Sequence, residues 1–141
     1  MEGSEPSVIT RETDYALRLL RTLRDGERHT AAEAAEREMV PPSFAYKILK
    51  KLAKAGFVEI ARGADGGCRL TADLKQATLY DLIEAMGENC RLSGCMDADY
   101  QCPWRTSHGG CTVHCHLAGI QEKLNLELRT HSLEDILGPC S

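Results

Sequence analysis

Long apolar runs are absent from this 141-residue chain, and so is any overall excess of basic residues. No stretch approaches the roughly 18 consecutive apolar residues that a membrane-crossing helix requires, so no membrane partner is expected. The opening Met1-Glu2-Gly3-Ser4-Glu5-Pro6 has neither the positive start nor the apolar core of a secretion signal, and a cytoplasmic location is expected. Internal repeats and low-complexity tracts are missing. So is any constellation of catalytic side chains, which argues against an enzyme. Also lacking is the Cys-x-x-Cys pair that common structural zinc sites favour.

What is present is an ordinary soluble composition, with 43% apolar and 27% charged residues, and a length that suits one core rather than two. Cysteine is the exception. In a reducing compartment seven cysteines read as ligands or sensors before disulfides, and an odd count leaves one unpaired. Five of them, with three of the five histidines, fall between Cys90 and His116. That stretch has no helical or strand period, and its large apolar side chains are Leu92, Met96, Tyr100, Trp104 and Val113. A loop this long in a compact domain needs something to fix it. Thiolates gathered on a metal or cluster would do so.

Ahead of that loop the chain reads as a series of short elements. Thr10 can cap a helix to about Asp25 with Ala16, Leu17, Leu20 and Leu23 on one face, closed by Gly26. Thr30-Ala-Ala-Glu33 fits a capping box, opening a helix that stops near Met39. Pro41 and Pro42 break it and pre-set a third helix to about Ala55, with Ala45, Ile48, Leu49 and Leu52 as its buried stripe. Two strand-like runs, Phe57–Ala61 and Cys68–Thr71, flank a glycine-rich tip at 62–67. Thr78 starts a further helix to about Met86, stopped by Gly87. After the cysteine loop His116 to about His131 is helical in pattern, and Ser132 caps a last helix, Leu133–Leu137. The fold class expected is mostly α with a small β-hairpin wing, a winged helix-turn-helix followed by a long C-terminal helix.

Although the net charge is −4, Pro41 to Ala72 holds six basic residues against two acidic ones. A local basic face of this kind is the electrostatic footprint of a DNA reader. Ser43, Tyr46, Lys47, Lys50 and Lys54 share the side of the third helix opposite its apolar stripe. In a winged helix-turn-helix that helix enters the major groove, and Arg62 in the wing reaches the minor groove. Lysines there contact mainly phosphates, while Ser43, Tyr46 and Lys47 near the helix start can touch base edges.

The loop cysteines Cys90, Cys95, Cys102, Cys111 and Cys115 are irregularly spaced, which suits an iron–sulfur cluster better than zinc because several irons spread the ligands. Cys111 sits where the long helix begins, where the helix dipole favours a thiolate. His114, three residues on, shares its face and is a candidate ligand. Cys68 and Cys140 read as inert small apolar residues.

Several segments together resemble the Rrf2 family, bacterial winged-helix regulators of the IscR, NsrR and CymR type. They are Thr10-Arg-Glu-Thr-Asp-Tyr-Ala16, Pro42-Ser-Phe-Ala-Tyr-Lys-Ile-Leu49 with Lys54-Ala-Gly-Phe57, Arg62-Gly-Ala-Asp-Gly-Gly67 and Thr78-Leu-Tyr-Asp-Leu-Ile83. The resemblance covers nearly the whole chain. It implies a homodimer on a palindromic operator in double-stranded DNA, paired through the long C-terminal helix, with Leu117, Ile120, Leu124 and Leu128 as its apolar edge. It implies DNA contacts from Thr10, Arg11, Arg62 and Gly63 beside those of the third helix. In cluster-carrying members three cysteines precede the long helix, and those places fall on Cys95, Cys102 and Cys111, with His114 at the histidine-ligand place; Cys115, Cys90 or a residue from the N-terminal segment of a second copy are the other candidates for the fourth ligand. Cys90 and Cys115 are extra to the pattern, and Cys68 stands where the wing commonly has Tyr.

The expected organisation is therefore a DNA-binding domain over 1–87, a cluster-binding loop over 88–115, and a dimerisation helix and tail over 116–141. The expected function is a transcriptional repressor whose operator affinity follows a 2Fe–2S or 4Fe–4S cluster sensing oxygen, nitric oxide, redox or iron–sulfur status. The alternatives are a cluster-free regulator of the same family responding by thiol oxidation or a small ligand, and a zinc or redox protein with no DNA role.

Overall fold

The structure, a computed structural model, describes residues 9–63, 66–88 and 90–138, so Cys140 lies outside the described residues. The elements run α1 (Arg11–Leu23), α2 (Ala31–Glu38), α3 (Pro42–Lys54), β1 (Val58–Ala61), β2 (Gly67–Leu70), α4 (Leu79–Ala85), a 3-10 turn (Gly94–Met96), α5 (Pro103–His108), α6 (Thr112–Thr130) and α7 (Leu133–Leu137). This is a winged helix: three helices packed together, followed by an antiparallel hairpin with Val58 opposite Leu70 and Ala61 opposite Gly67.

Side-chain caps set most of the helix starts. Thr10 accepts from the Thr13 N–H, and the Thr30/Glu33 and Thr78/Asp81 boxes are both closed reciprocally. Each such cap stabilises its helix by about 1 kcal/mol. The core is built from Leu19, Leu20 and Leu23 of α1, Ala34 and Ala35 of α2, Ile48, Leu49 and Leu52 of α3, and Leu82 and Met86 at α4. Burying one such leucine is worth about 1.5–3 kcal/mol, so these helices are held by packing more than by their own propensity. Leu17, expected on the buried face of α1, is only partly buried, and Leu19 takes the fully buried place.

The wing is tied back to the head. His29 forms an isolated antiparallel bridge with Cys68, its N–H donating to the Cys68 carbonyl at 3.0 Å and its carbonyl accepting from the Cys68 N–H at 2.7 Å. That approach explains Gly67: a Cβ there would lie 2.7 Å from the His29 carbonyl oxygen, and its φ of +140° suits glycine.

Two expectations for the region after α4 are corrected. The cysteine-rich stretch is not one irregular loop, for it contains the 3-10 turn and α5. The long helix starts at Thr112 rather than His116, because the Cys111 sulfur serves as its N-cap, so His114 and Cys115 are in its first turn. At its far end α6 is sewn to the head: Leu79 N–H donates to the His131 carbonyl at 3.1 Å and Leu133 N–H to the Ala77 carbonyl at 2.8 Å. Leu133 and Leu137 of α7 then join the main core. Among the described residues, no helix is long and apolar enough to cross a membrane.

Candidate nucleic-acid interface and thiol site

Because Ala45, Ile48, Leu49 and Leu52 bury one side of α3, helical geometry leaves Ser43, Tyr46, Lys47, Lys50 and Lys54 exposed on the other. Tyr46 is 63% exposed, large for an aromatic side chain with no role outside the chain. Arg62 and Gly63 are exposed where β1 leaves the hairpin, and Arg11 is exposed at the start of α1. Thr10 is in use as a cap, its Oγ1 accepting from the Thr13 N–H at 3.2 Å.

Lys51 departs from the other lysines. Its Nζ donates to Glu12 Oε1 at 2.7 Å and to the Met86 carbonyl at 3.2 Å, so it joins α3 to α1 and to the end of α4. Glu12 also stands 3.7 Å from Lys47 Nζ. Neither Glu12 nor Lys51 was singled out by sequence. The sequence offers no signal for them beyond an acid standing next to Arg11.

The cysteines fall into two chemical groups. Cys68 is buried with its thiol donating to the His29 carbonyl at 3.2 Å, and burial pushes its pKa up. Cys90 is buried beside Ile83 and Leu128, and burial, then the nearby Glu84 carboxylate, push its pKa up too. In both, burial favours the neutral thiol. Cys95, Cys102 and Cys111 are half-exposed and Cys115 is exposed. Cys95 Sγ lies 2.9 Å from Ser93 Oγ, and Cys102 precedes α5.

At the start of α6, Cys111 Sγ accepts from the His114 N–H at 3.4 Å. The His114 ring belongs to a half-buried residue, and its Nδ1 is buried with no hydrogen-bond partner among the described residues. A buried imidazole nitrogen left unpaired costs about 1–3 kcal/mol, and such an atom calls for an explanation. A bound metal centre supplies one. The donor set of three half-exposed thiols plus this nitrogen fits an iron–sulfur centre by its chemistry. Among the described residues, no three His, Cys, Asp or Glu side chains stand close enough together to hold a metal ion. The structure therefore links Cys111 to His114 only through the His114 backbone N–H, as a helix cap, and does not gather Cys95 and Cys102 onto them.

Gln121 holds this segment to α6, another residue that no sequence signal marked. Its Nε2 donates to the Cys90 carbonyl and its Oε1 accepts from the Leu92 N–H, both at 2.7 Å. The apolar edge expected on α6 divides. Leu128 is buried against Ile83 and Cys90 with Leu124 packed beside it, Leu117 is half-buried, and Ile120 is 53% exposed. Leu128 thus has almost no surface to offer a partner, because the start of the cysteine segment and α4 cover it.

The family profile described as "Rrf2: Iron-dependent Transcriptional regulator" matches residues 9–139. Protein aau3 of Rhizobium meliloti (strain 1021) is 34% identical over 104 residues, 72% of this chain and 68% of that protein. The HTH-type transcriptional repressor NsrR of Streptomyces coelicolor is 32% identical over 133 residues, 92% of this chain and 87% of the repressor. Among solved structures, CymR, the global cysteine regulator of B. subtilis, superposes with a TM-score of 0.68 at 18% identity, covering 94% of this chain and 98% of CymR.

Proposed function

Since the chain belongs to the Rrf2 family of transcriptional regulators, we propose that it binds an operator in double-stranded DNA under the control of an iron–sulfur cluster in the segment from Cys90 to Cys115. The observation that carries the cluster is the buried, unpartnered Nδ1 of His114 one turn from Cys111. Cys95, Cys102, Cys111 and His114 are the ligands in this reading, and Cys115, exposed on the same first turn, is the substitute for His114. A cluster there would supply a centre that is oxidised, modified or lost in response to oxygen, nitric oxide or iron–sulfur supply. The chain's own part is to hold that centre between α4 and α6, with Gln121 fixing the first residues of the segment and Cys111 fixing the last. The reading head is α3 with the wing. Ser43, Tyr46 and Lys47 face base edges, Lys50, Lys54 and Arg11 face phosphates, and Arg62 with Gly63 reaches the minor groove.

A second reading, a cluster-free regulator responding by thiol oxidation, is favoured by the exposure of Cys115 and the half-exposure of Cys95, Cys102 and Cys111, all open to oxidants. Anaerobic purification with iron, sulfide and absorption measurements separates the two. The expected result is iron and sulfide in the wild type, both lost in Cys95→Ala, Cys102→Ala and Cys111→Ala. The affinity for a duplex selected by the protein itself should change when a chelator removes the iron. Full iron content in those three variants would sink the cluster reading. A chain that selects no duplex at all would sink the DNA role.

A further inference from the structure

Glu12 is an acid set into the face that is otherwise basic. It occupies the first turn of α1 next to Arg11, and its carboxylate reaches across to α3, 2.7 Å from Lys51 Nζ on one oxygen and 3.7 Å from Lys47 Nζ on the other. Asp14 also lies in that first turn, so the helix dipole does not require an acid at 12. A negative charge beside a polyanion weakens binding to every DNA sequence alike. An acid paired to two lysines of that face therefore calls for a gain of another kind.

The gain is direction. A lysine ammonium is a point charge on a flexible four-carbon stem, able to meet many phosphates and to favour none. Holding it beforehand lowers the entropy lost when it meets one particular acceptor. Lys47 Nζ stands 3.7 Å from Glu12 as an ion pair and stays exposed, whereas Lys51 gives two of its three donors to Glu12 and to the Met86 carbonyl. We propose that Glu12 is a specificity-determining residue of the DNA-reading face, aiming Lys47 at a base edge, and that Lys51 is a positioning residue locking Glu12 and α3 to the end of α4 rather than a phosphate contact. This assignment deepens the DNA-reading role proposed above and rests on it.

The test uses the full chain purified anaerobically and two duplexes of equal length, one enriched from a random pool by the wild-type protein and one scrambled. Both are titrated across a salt series. Glu12→Gln tightens binding to the scrambled duplex and lowers the ratio of selected to scrambled affinity about tenfold, the scale of one base contact. Lys51→Met also lowers that ratio but leaves the salt slope unchanged, while Lys50→Met flattens it by about one unit. Lys51→Arg, which keeps charge and donors, retains the wild-type ratio. Glu12 and Lys51 are both partly exposed, and a thermal melt by circular dichroism of each variant is the control for folding. Equal tightening on both duplexes in Glu12→Gln overturns the specificity role. A slope flattened by Lys51→Met as much as by Lys50→Met overturns the positioning role. If the wild type enriches no duplex, DNA reading itself fails and this assignment falls with it, a result distinct from the other two.

Discussion

Two cysteines of this chain differ sharply from their neighbours in chemistry, and burial is the reason. Cys68 and Cys90 are covered, and burial pushes both thiols above the ordinary value of 9.0, with the Glu33 carboxylate adding to it at Cys68 and Glu84 at Cys90. A thiol whose folded pKa is raised contributes stability that is fully present below its unfolded value and is lost as pH climbs through the folded one. The urea midpoint should therefore hold steady up to about pH 9 and fall beyond it. In Cys68→Ala the neutral-pH midpoint drops slightly, by loss of a small packed atom, and the alkaline fall becomes shallower. A series of urea titrations at stepped pH checks this. An alkaline limb unchanged in Cys68→Ala would place the alkaline loss elsewhere. The partly exposed thiols, by contrast, have no such cover and remain open to metals and oxidants.

Local signals with a mechanism made the reading head legible before any coordinates. Thr10, Thr30, Thr78 and Ser132 each cap the helix they were expected to cap, because a hydroxyl or carboxylate two or three residues from a free N–H is a short-range feature. The α3 stripe was legible for the same reason, since 13 residues give enough turns for a period to show. Helix α5 was not, because six residues with Trp104 as their one large apolar side chain carry no period. The division of the α6 edge was hidden too. Periodicity shows that Leu124 and Leu128 lie on one side, and only tertiary packing shows that this side meets Ile83 and Cys90 of the same chain. The thiol site was legible as a donor set and illegible as geometry, since irregular spacing says nothing about which sulfurs approach one another. Leu128→Ala tests the packing. Removing a buried leucine costs about 2–5 kcal/mol, and this small, partly open cluster places it near the lower end. Chemical denaturation should show that loss, together with faster alkylation of Cys90. A loss under about 0.5 kcal/mol, the scale of a neutral surface change, would contradict the packing.

At the scale of the whole molecule, α6 leaves apolar surface that no described residue covers. Val113 is 62%, Ile120 53% and Leu126 61% exposed along this helix of 19 residues. A second copy of the chain laid along α6 would cover Ile120 and Val113, the same patch meeting itself as in a two-fold pair. The substitution that tests this face is therefore at Ile120, which is in solvent, rather than at the buried Leu128 or the partly buried Leu124. Ile120→Glu should keep the melting behaviour of the individual fold and sediment as a monomer where the wild type sediments as a dimer. Binding of one half-site at a time forfeits the effective concentration that linkage provides, so affinity for a two-half-site duplex should fall roughly 100-fold or more. Affinity for a single half-site should stay within about twofold, since the change touches neither the α3 face nor the wing, and distant sites act independently. Sedimentation velocity at micromolar concentration, run beside the two binding titrations, decides the matter. An Ile120→Glu chain that still sediments as a dimer places the interface on another face of the molecule.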